Sequence, residues 1–211
     1  KSNRLSISFP IPNTLAAYRN KPEQYVSNLL GHEGRGSLHS DLTQRGWIER
    51  LGAGSQDFDH STSLFSVELM LTEQGKDHVP EIMGLVFAQL DTLRSVEPEA
   101  WRYAEQAKIA ELAFRFHAKG STVCFVYQMA PRLNDYPPED LLAAPYLMEA
   151  FEPAMIQDLL ARLTPDNALV ELATPDFESQ TTEPWFGVPF DLVQGPLMIE
   201  PPQATQLTLP E

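Results

Sequence analysis

The chain has 211 residues, of which 43% are hydrophobic and 21% charged, and its 15 Lys and Arg against 29 Asp and Glu give a formal net charge of -14. This apolar content suffices for a folded core and excludes an intrinsically disordered chain. The longest apolar run, 82–93, is interrupted by Gln89 and Asp91 before it reaches the roughly 18 to 20 residues of a membrane span, and the acidic balance disfavours nucleic acid as a partner.

Alternating apolar and polar residues predict the strands in the first half of the chain. The predicted strands are 4–11, 47–51 and 65–71. The second of these runs into a glycine pair, Gly52 and Gly54, and is joined to the third through the polar segment 55–62. These two strands are therefore expected to form a hairpin.

Apolar residues at helical spacing predict five helices between residues 22 and 133. They are a helix from Pro22 to about Gly31, a short one from Leu38 to Gly46, one that contains 79–93, one from about Pro98 to Phe116, and a largely buried one over 121–133.

The last third of the chain is rich in proline: only five of the 18 prolines precede residue 130. This favours short elements and turns. They are predicted as helices at 138–144 and 153–163, a strand at 168–173, a weaker strand at 188–192, and a proline-rich linker beyond Gly195. The sum is an α+β fold, with helices packed on a mainly antiparallel sheet.

A search for catalytic residues finds no constellation. The five histidines form no zinc-binding spacing, and His32 is interpreted as a hydrogen-bonded residue at a helix end. Cys124 lies among apolar residues and is predicted to be a buried, inert thiol. The segment Gly34 to Gly36 lacks the further glycines and the lysine of a phosphate loop.

One feature points to binding. The strand residues Leu51 to Gly54 are small enough for another backbone to approach, as in the capture of an extended peptide by strand addition. Glu33 could then face the amino terminus of the peptide. The alternative is an ordinary bulged strand with a solvated Glu33, and the residues by themselves favour it.

Several motifs, in this order, resemble those of one family. The segments are Phe9–Pro12, Lys21–Tyr25, Leu30–Leu38, Gly46–Trp47 with Leu51, Leu71–Gly75, Ala113–Phe116 and Glu183–Gly187. They closely resemble the second, non-catalytic homologous domain of the insulinase/pitrilysin family, the M16 peptidases. The resemblance implies the M16 metallopeptidase-repeat fold, which is LuxS/mitochondrial-processing-peptidase-like, and a parent zinc endopeptidase that hydrolyses peptides.

The resemblance also implies that the zinc site has been lost from this repeat. In the family, zinc and the motif H-x-x-E-H belong to the first repeat of the parent. Over that motif this chain has Asn28 and Gly31, only His32 of the motif remains, and the distal ligand position falls on Arg115. No cofactor is therefore expected in this fragment, and zinc is expected in the first domain of the parent enzyme.

A substrate exosite is the function that the resemblance assigns to this repeat. Its positions fall on Gly31, Glu33, Leu51, Gly52 and Ala53, which would anchor peptide amino termini by strand addition. The expected partners are peptide substrates and the other M16 repeats of the same parent chain, with neither nucleic acid nor a membrane.

The domain boundaries follow the same comparison. Residues 1–194 are predicted to form one zinc-less repeat, and 195–211 a linker toward the next repeat. Because residue 1 is Lys and a strand begins almost at once, the chain is expected to be a piece of a longer protein. The resemblance implies a bacterial-type enzyme, and it leaves the location open between the periplasm and the cytoplasm.

Two alternatives remain at this stage. One is an M16 peptidase of pyrroloquinoline quinone biosynthesis, which the neighbouring genes would identify. The other is a structural paralogue without catalysis, which the absence of H-x-x-E-H in the preceding sequence would identify.

Overall fold

A four-stranded antiparallel sheet forms the centre of the fold in the computed structural model, which describes residues 2–118, 120–201 and 207–209. The strands are β1 (Asn3–Pro12), β2 (Ile48–Asp57), β3 (Thr62–Leu71) and β4 (Leu169–Ala173). Their order in the sheet is β2-β3-β1-β4, so β2 and β4 are its edges within the described part of the chain. The predicted α+β class is thereby confirmed.

Period-two alternation assigns one face of the sheet to the core and leaves the other open. On the core face Ile7 pairs with Val67 and Phe9 with Phe65, and all four side chains are fully buried. On the open face the hydroxyls of Ser8 and Ser66 lie 2.8 Å apart. A shift of one residue in register would exchange the two faces, so the alternation fixes the pairing.

Six α-helices accompany the sheet in the described part of the chain. They are α1 (Pro22–Leu30), α2 (Leu38–Gln44), α3 (Val79–Ser95), α4 (Ala100–Arg115), α5 (Thr122–Arg132) and α6 (Pro153–Leu160). Helix α1 begins at a proline, whose fixed φ suits a first turn, and α2 is capped by the Ser37 hydroxyl, which accepts from the Ser40 N–H at 3.1 Å. Both helices pack against β2.

Gly75, in the short turn before α3, lies directly against Trp47, the residue that precedes β2. A Cβ atom at Gly75 would lie 2.0 Å from the carbonyl oxygen of Trp47. The same carbonyl accepts the N–H of Thr72 at 3.0 Å. Only glycine permits this approach, because a Cβ at that distance would overlap the backbone.

Helix α5 differs from its prediction, because none of its residues is buried. The side chains of Val123 and Tyr127 are 64% and 78% exposed, and Cys124 is exposed rather than buried. The apolar run of 122–132 indicates a surface that packs against something, but the described part of this chain supplies no layer over it.

The weaker strand predicted at 188–192 is also wrong. Residues there form only an isolated bridge between Thr182 and Pro189. The reason is a local turn, since the Glu183 carboxylate accepts the N–H groups of Trp185, Phe186 and Val188 at 2.6–3.0 Å. These backbone groups are thus satisfied within the turn.

The end of the chain lies against the core where it is described. Leu197, Ile199, Leu207 and Leu209 are partly buried against it, and the Thr208 N–H donates to the carbonyl of Gly36 at 3.0 Å. The predicted linker 195–211 includes residues outside the described ranges (202–206, 210 and 211), and the boundary at residue 194 stays a prediction. None of the described helices combines the length and the apolarity needed to cross a membrane.

Candidate functional site

The corner between α1 and α2 is shaped by close backbone contacts. The N–H of Gly31 donates to the carbonyl of Ser27 at 2.9 Å, and a Cβ on Gly31 would lie 3.1 Å from the same oxygen. Nδ1 of His32 accepts the N–H of Gly34 at 2.9 Å. This confirms His32 as a hydrogen-bonded residue at a helix end. A side chain at Gly34 would collide with the ring, at 2.5 Å from Cε1.

Glu33 projects from this corner into solvent. It is exposed and forms no salt bridge with any residue that the structure describes. A carboxylate in this state is available to a cationic group that approaches from outside.

Strand β2 presents its two faces differently. Leu51 is buried and Ala53 packs against the core, whereas Gly52 and Gly54 alternate with them and belong to the open face. A Cβ atom built on either glycine meets nothing within 4 Å. The glycines therefore leave free space over the open face of β2.

That free space is an open groove of about 290 Å³. It is lined by Gly52, Ala53, Gly54, Ser55, Gln56, Leu64, Ser66 and Glu68. The register places Gly52 opposite Glu68 and Gly54 opposite Ser66. Its volume lies near the lower end of ligand pockets, roughly 300 Å³, so it suits one or two side chains rather than a whole small molecule.

The structure assembles part of the predicted exosite. Gly52 and Ala53 line the groove, and Leu51 precedes them with its side chain in the core. Gly31 and Glu33 belong to the α1–α2 corner, and neither is among the residues that line the groove. The exosite as a single unit therefore stays a prediction.

Sequence reasoning missed Ser66 and Glu68 as groove residues. A signal was present, because Leu64, Ser66 and Glu68 alternate with the apolar core positions of β3 and must share the open face. The sequence did not show which residues of β2 lie opposite them, because this depends on the register of the hairpin.

The positions that the resemblance assigns to a lost zinc site include groups that are poor zinc ligands. Asn28 is exposed on α1, and the guanidinium of Arg115, the last residue of α4, lies over the Phe116 ring at 5.9 Å from its centroid. Within residues 2–118, 120–201 and 207–209, no three His, Cys, Asp or Glu side chains cluster closely enough to hold a metal ion. The alignment of these positions with zinc ligands stays a prediction.

Two partly buried charges sit at the beginning of α1. Burial lowers the pKa of Lys21, whose Nζ donates to the carbonyl of Pro145 at 3.0 Å. Burial raises the pKa of Glu23, and the positive charge of Lys21 opposes that increase. The two charges at the first turn of α1 therefore partly compensate each other.

Comparisons with known proteins place these features in a family context. Residues 1–110 match the family model described as the peptidase M16 inactive domain, and residues 114–211 match the model described as the middle or third domain of peptidase M16. The first match covers more than half of the chain.

Individual proteins give the same result. The chain is 33% identical over 189 residues to a nardilysin-like protein of Arabidopsis thaliana, covering 87% of this chain and 18% of that protein. It is 35% identical over 175 residues to the insulin-degrading enzyme of Homo sapiens, covering 82% and 17%. The crystal structure of pitrilysin superimposes with a TM-score of 0.88 at 21% identity, covering 100% of this chain and 23% of that chain. The chain thus spans about a fifth of the length of these relatives.

Proposed function

Because this chain belongs to the M16 peptidase family, as an insulysin/pitrilysin-like inactive domain, we propose that it anchors peptide amino termini for a zinc endopeptidase whose catalytic repeat lies elsewhere in the parent chain. The observation that carries this proposal is the open edge of β2, with Gly52 and Gly54 on its exposed face. The chain itself performs no hydrolysis in this proposal.

The residues at the positions aligned with the zinc site of the family support a non-catalytic role. An amide at Asn28, no side chain at Gly31 and a guanidinium at Arg115 replace the ligands and the general base of the family motif. A guanidinium has no lone pair for a metal, and its charge repels a cation. Zinc, where bound, would polarise the peptide carbonyl in the first repeat of the parent.

The edge of β2 supports peptide capture by strand addition. An edge strand presents N–H and C=O groups that a further strand can satisfy, and β2 offers ten residues for this purpose. Helices α1 and α2 pack on β2, so the edge is held rigid from the core side. Main-chain hydrogen bonds would supply affinity for peptides of varied sequence.

Glu33 supports recognition of a free amino terminus. It is an exposed carboxylate without a salt-bridge partner in the described chain. It lies at the corner joining the two helices that pack on β2. A peptide added to β2 with its amino terminus toward this corner would place opposite charges near each other.

Exposed apolar side chains support contact with the other repeats of the parent. They lie toward the end of α4, along α5 and in the segment 177–193, and include Ile109, Leu112, Phe116, Val123, Tyr127, Trp185, Phe186 and Val193. Exposed apolar surface of this extent marks interaction sites. In this proposal these segments join the chain to the rest of a peptide-enclosing chamber.

The test of the anchor compares peptides with free and acetylated amino termini in the parent peptidase. Glu33→Ala is expected to raise KM for free peptides by about 1.5- to 5-fold, the worth of one exposed ion pair, and to leave KM for acetylated peptides unchanged. Glu105→Ala, an exposed residue of α4, is the charge-matched control. Equal increases for both peptide classes would remove Glu33 from the anchor.

A second measurement tests the assignment as a non-catalytic repeat. The isolated 211-residue chain is expected to cleave no peptide and to retain no stoichiometric zinc after dialysis, as measured by elemental analysis. One tightly bound zinc per chain would overturn the assignment.

A further inference from the structure

The two halves of the groove beside β2 are lined by different polar side chains. Gly52 faces Glu68 across the β2–β3 pair, whereas Gly54 faces Ser66. Glu68 is exposed, and the Ser66 hydroxyl is engaged with that of Ser8 at 2.8 Å. One half of the groove therefore presents a carboxylate, and the other half presents a neutral, already paired hydroxyl.

A peptide strand added to β2 would place alternate side chains over this groove. Neighbouring strands lie about 4.8 Å apart, so the added strand would run about 10 Å from β3. The glycines of β2 have no side chain to block that distance, and a Cβ at Gly52 or Gly54 meets nothing within 4 Å. A long side chain of the peptide can therefore cross the glycine and reach β3.

The length of the side chain decides which residues can make this contact. Ala, Ser and Asp are too short to reach across Gly52. Lys and Arg carry their charge on flexible stems of three or four methylene groups and pack those stems on neutral surface. Only a long basic side chain combines the reach with a charge that complements Glu68.

The charge of Glu68 is available for such a partner. It takes part in no salt bridge with any residue in the described ranges. On the same face of β2, Arg50 pairs in register with Met70 rather than with Glu68. The net charge of -14 adds a long-range attraction for cationic peptides.

We infer that Glu68 and Gly52 form a side-chain subsite for one Lys or Arg of the bound peptide, and that the neighbouring position over Gly54 is neutral. This inference rests on the proposed anchoring of peptides at β2. It assigns a substrate class, peptides with a basic residue at one fixed distance from the amino terminus. Acidic residues at that distance are disfavoured by the same carboxylate.

A lysine scan tests the subsite in the 211-residue chain. Peptides labelled at the carboxyl terminus carry a single Lys at each of the first six positions of an otherwise neutral sequence, and fluorescence anisotropy gives Kd. One position is expected to bind about 1.5- to 5-fold more tightly than its alanine counterpart, the range of an exposed ion pair. The position two residues away is expected to show no gain.

Substitutions of Glu68 test whether this residue causes the tighter binding of the lysine peptide. Glu68→Gln is expected to abolish the preference, and Glu68→Lys to transfer it to Glu. Glu171→Gln, on the open face of β4, removes the same charge and is expected to leave the preference intact. A preference that survives Glu68→Gln, or a flat lysine scan, would overturn the inference.

The failure of this inference can be told apart from failure of the anchor. Methylation of alternate backbone amides of each peptide removes N–H donors from the added strand and is expected to weaken every peptide of the scan. If methylation weakens binding while the scan is flat, the anchor stands and the basic subsite falls. If methylation changes no Kd, the peptides do not bind by strand addition, and both fall.

Discussion

The two edge strands of the sheet are built in opposite ways. Strand β2 has ten residues and includes Gly52 and Gly54. Strand β4 has five residues and carries Glu171, which forms an ion pair with Arg4 of the neighbouring strand β1. Short, charged edges are how proteins avoid pairing with other chains. The difference indicates that β2 is the edge open to an added strand and that β4 is protected.

The two edges also differ in what supports them. Helices α1 and α2 pack on β2, and Leu51 at its centre is buried. On β4, Leu169 and Leu172 are 63% and 45% exposed. An edge strand can therefore be open to pairing with another strand although it packs firmly on the core, as β2 does. An edge strand can also be protected from such pairing although its side chains are only partly covered, as those of β4 are.

The largest expected effect tests this difference in packing. Leu51→Ala, at a buried position of β2, is expected to lower the free energy of unfolding by about 2–5 kcal/mol, through lost burial and a cavity. Leu172→Ala on β4 is expected to cost less than about 1 kcal/mol, because its side chain is already half exposed. Urea denaturation at pH 7 measures both. Similar losses would show that β4 is as tightly packed as the β2 side.

A second prediction tests which edge receives a peptide. Gly54→Val is expected to weaken the binding of peptides with a bulky side chain over Gly54 by at least about fivefold. The valine and the peptide side chain would compete for the groove, and overpacking of this kind costs about 1–3 kcal/mol. The substitution should leave stability nearly unchanged, because its Cβ meets nothing within 4 Å. Ala173→Val on the open face of β4 is the matched control and should leave Kd unchanged. If the control weakened binding equally, β2 would not be the preferred edge.

The smallest expected effect compares two carboxylates, that of Glu23 in α1, which packs on β2, and that of Glu171 in β4. Oε2 of Glu23 in α1 is buried and lacks a hydrogen-bond partner among the described residues. Burial raises the pKa of Glu23 above its ordinary value of 4.5, so the charged form destabilises the fold at neutral pH. Glu23→Gln should therefore stabilise the protein at pH 7.

The pH dependence of stability tests whether the charge of Glu23 causes this effect. The cost of the Glu23 charge is full above its folded pKa and disappears as the pH falls below its unfolded pKa. The gain from Glu23→Gln should accordingly vanish near pH 4 in urea denaturation. Glu171→Gln, at an exposed ion pair on β4, should change stability by no more than about 0.5 kcal/mol. A gain from Glu23→Gln that persisted below pH 4 would contradict the assignment to charge.

Much of the fold could be predicted because its local signals agree. The alternation over 4–11 gave a strand that the structure extends to Asn3–Pro12, and the apolar stripe after Pro22 gave α1. Strand β2 was predicted too short, as 47–51, because glycines weaken strand propensity. Pairing with β3 over nine residues continues it to Asp57.

The candidate site was only partly predictable. The residues by themselves identified a glycine-bearing strand and Glu33 as a candidate partner of a peptide amino terminus. The family resemblance added Gly31 and grouped these residues as an exosite, but neither indicated Glu68. Sequence alternation shows that Glu68 lies on the open face of β3. It does not show that Gly52 lies opposite.

The sequence by itself determined the fold class, the strands β1 and β3, the long helices and the family, because these depend on periodicity and on motifs within short segments. Only the tertiary structure decided which strands became edges, how the β2–β3 register aligned Gly52 with Glu68, and which apolar surfaces the described chain leaves exposed, as on α5. The physical reason is that pairing and burial are relations between distant segments. A local pattern specifies that a side chain needs a partner, and the fold decides which partner it meets.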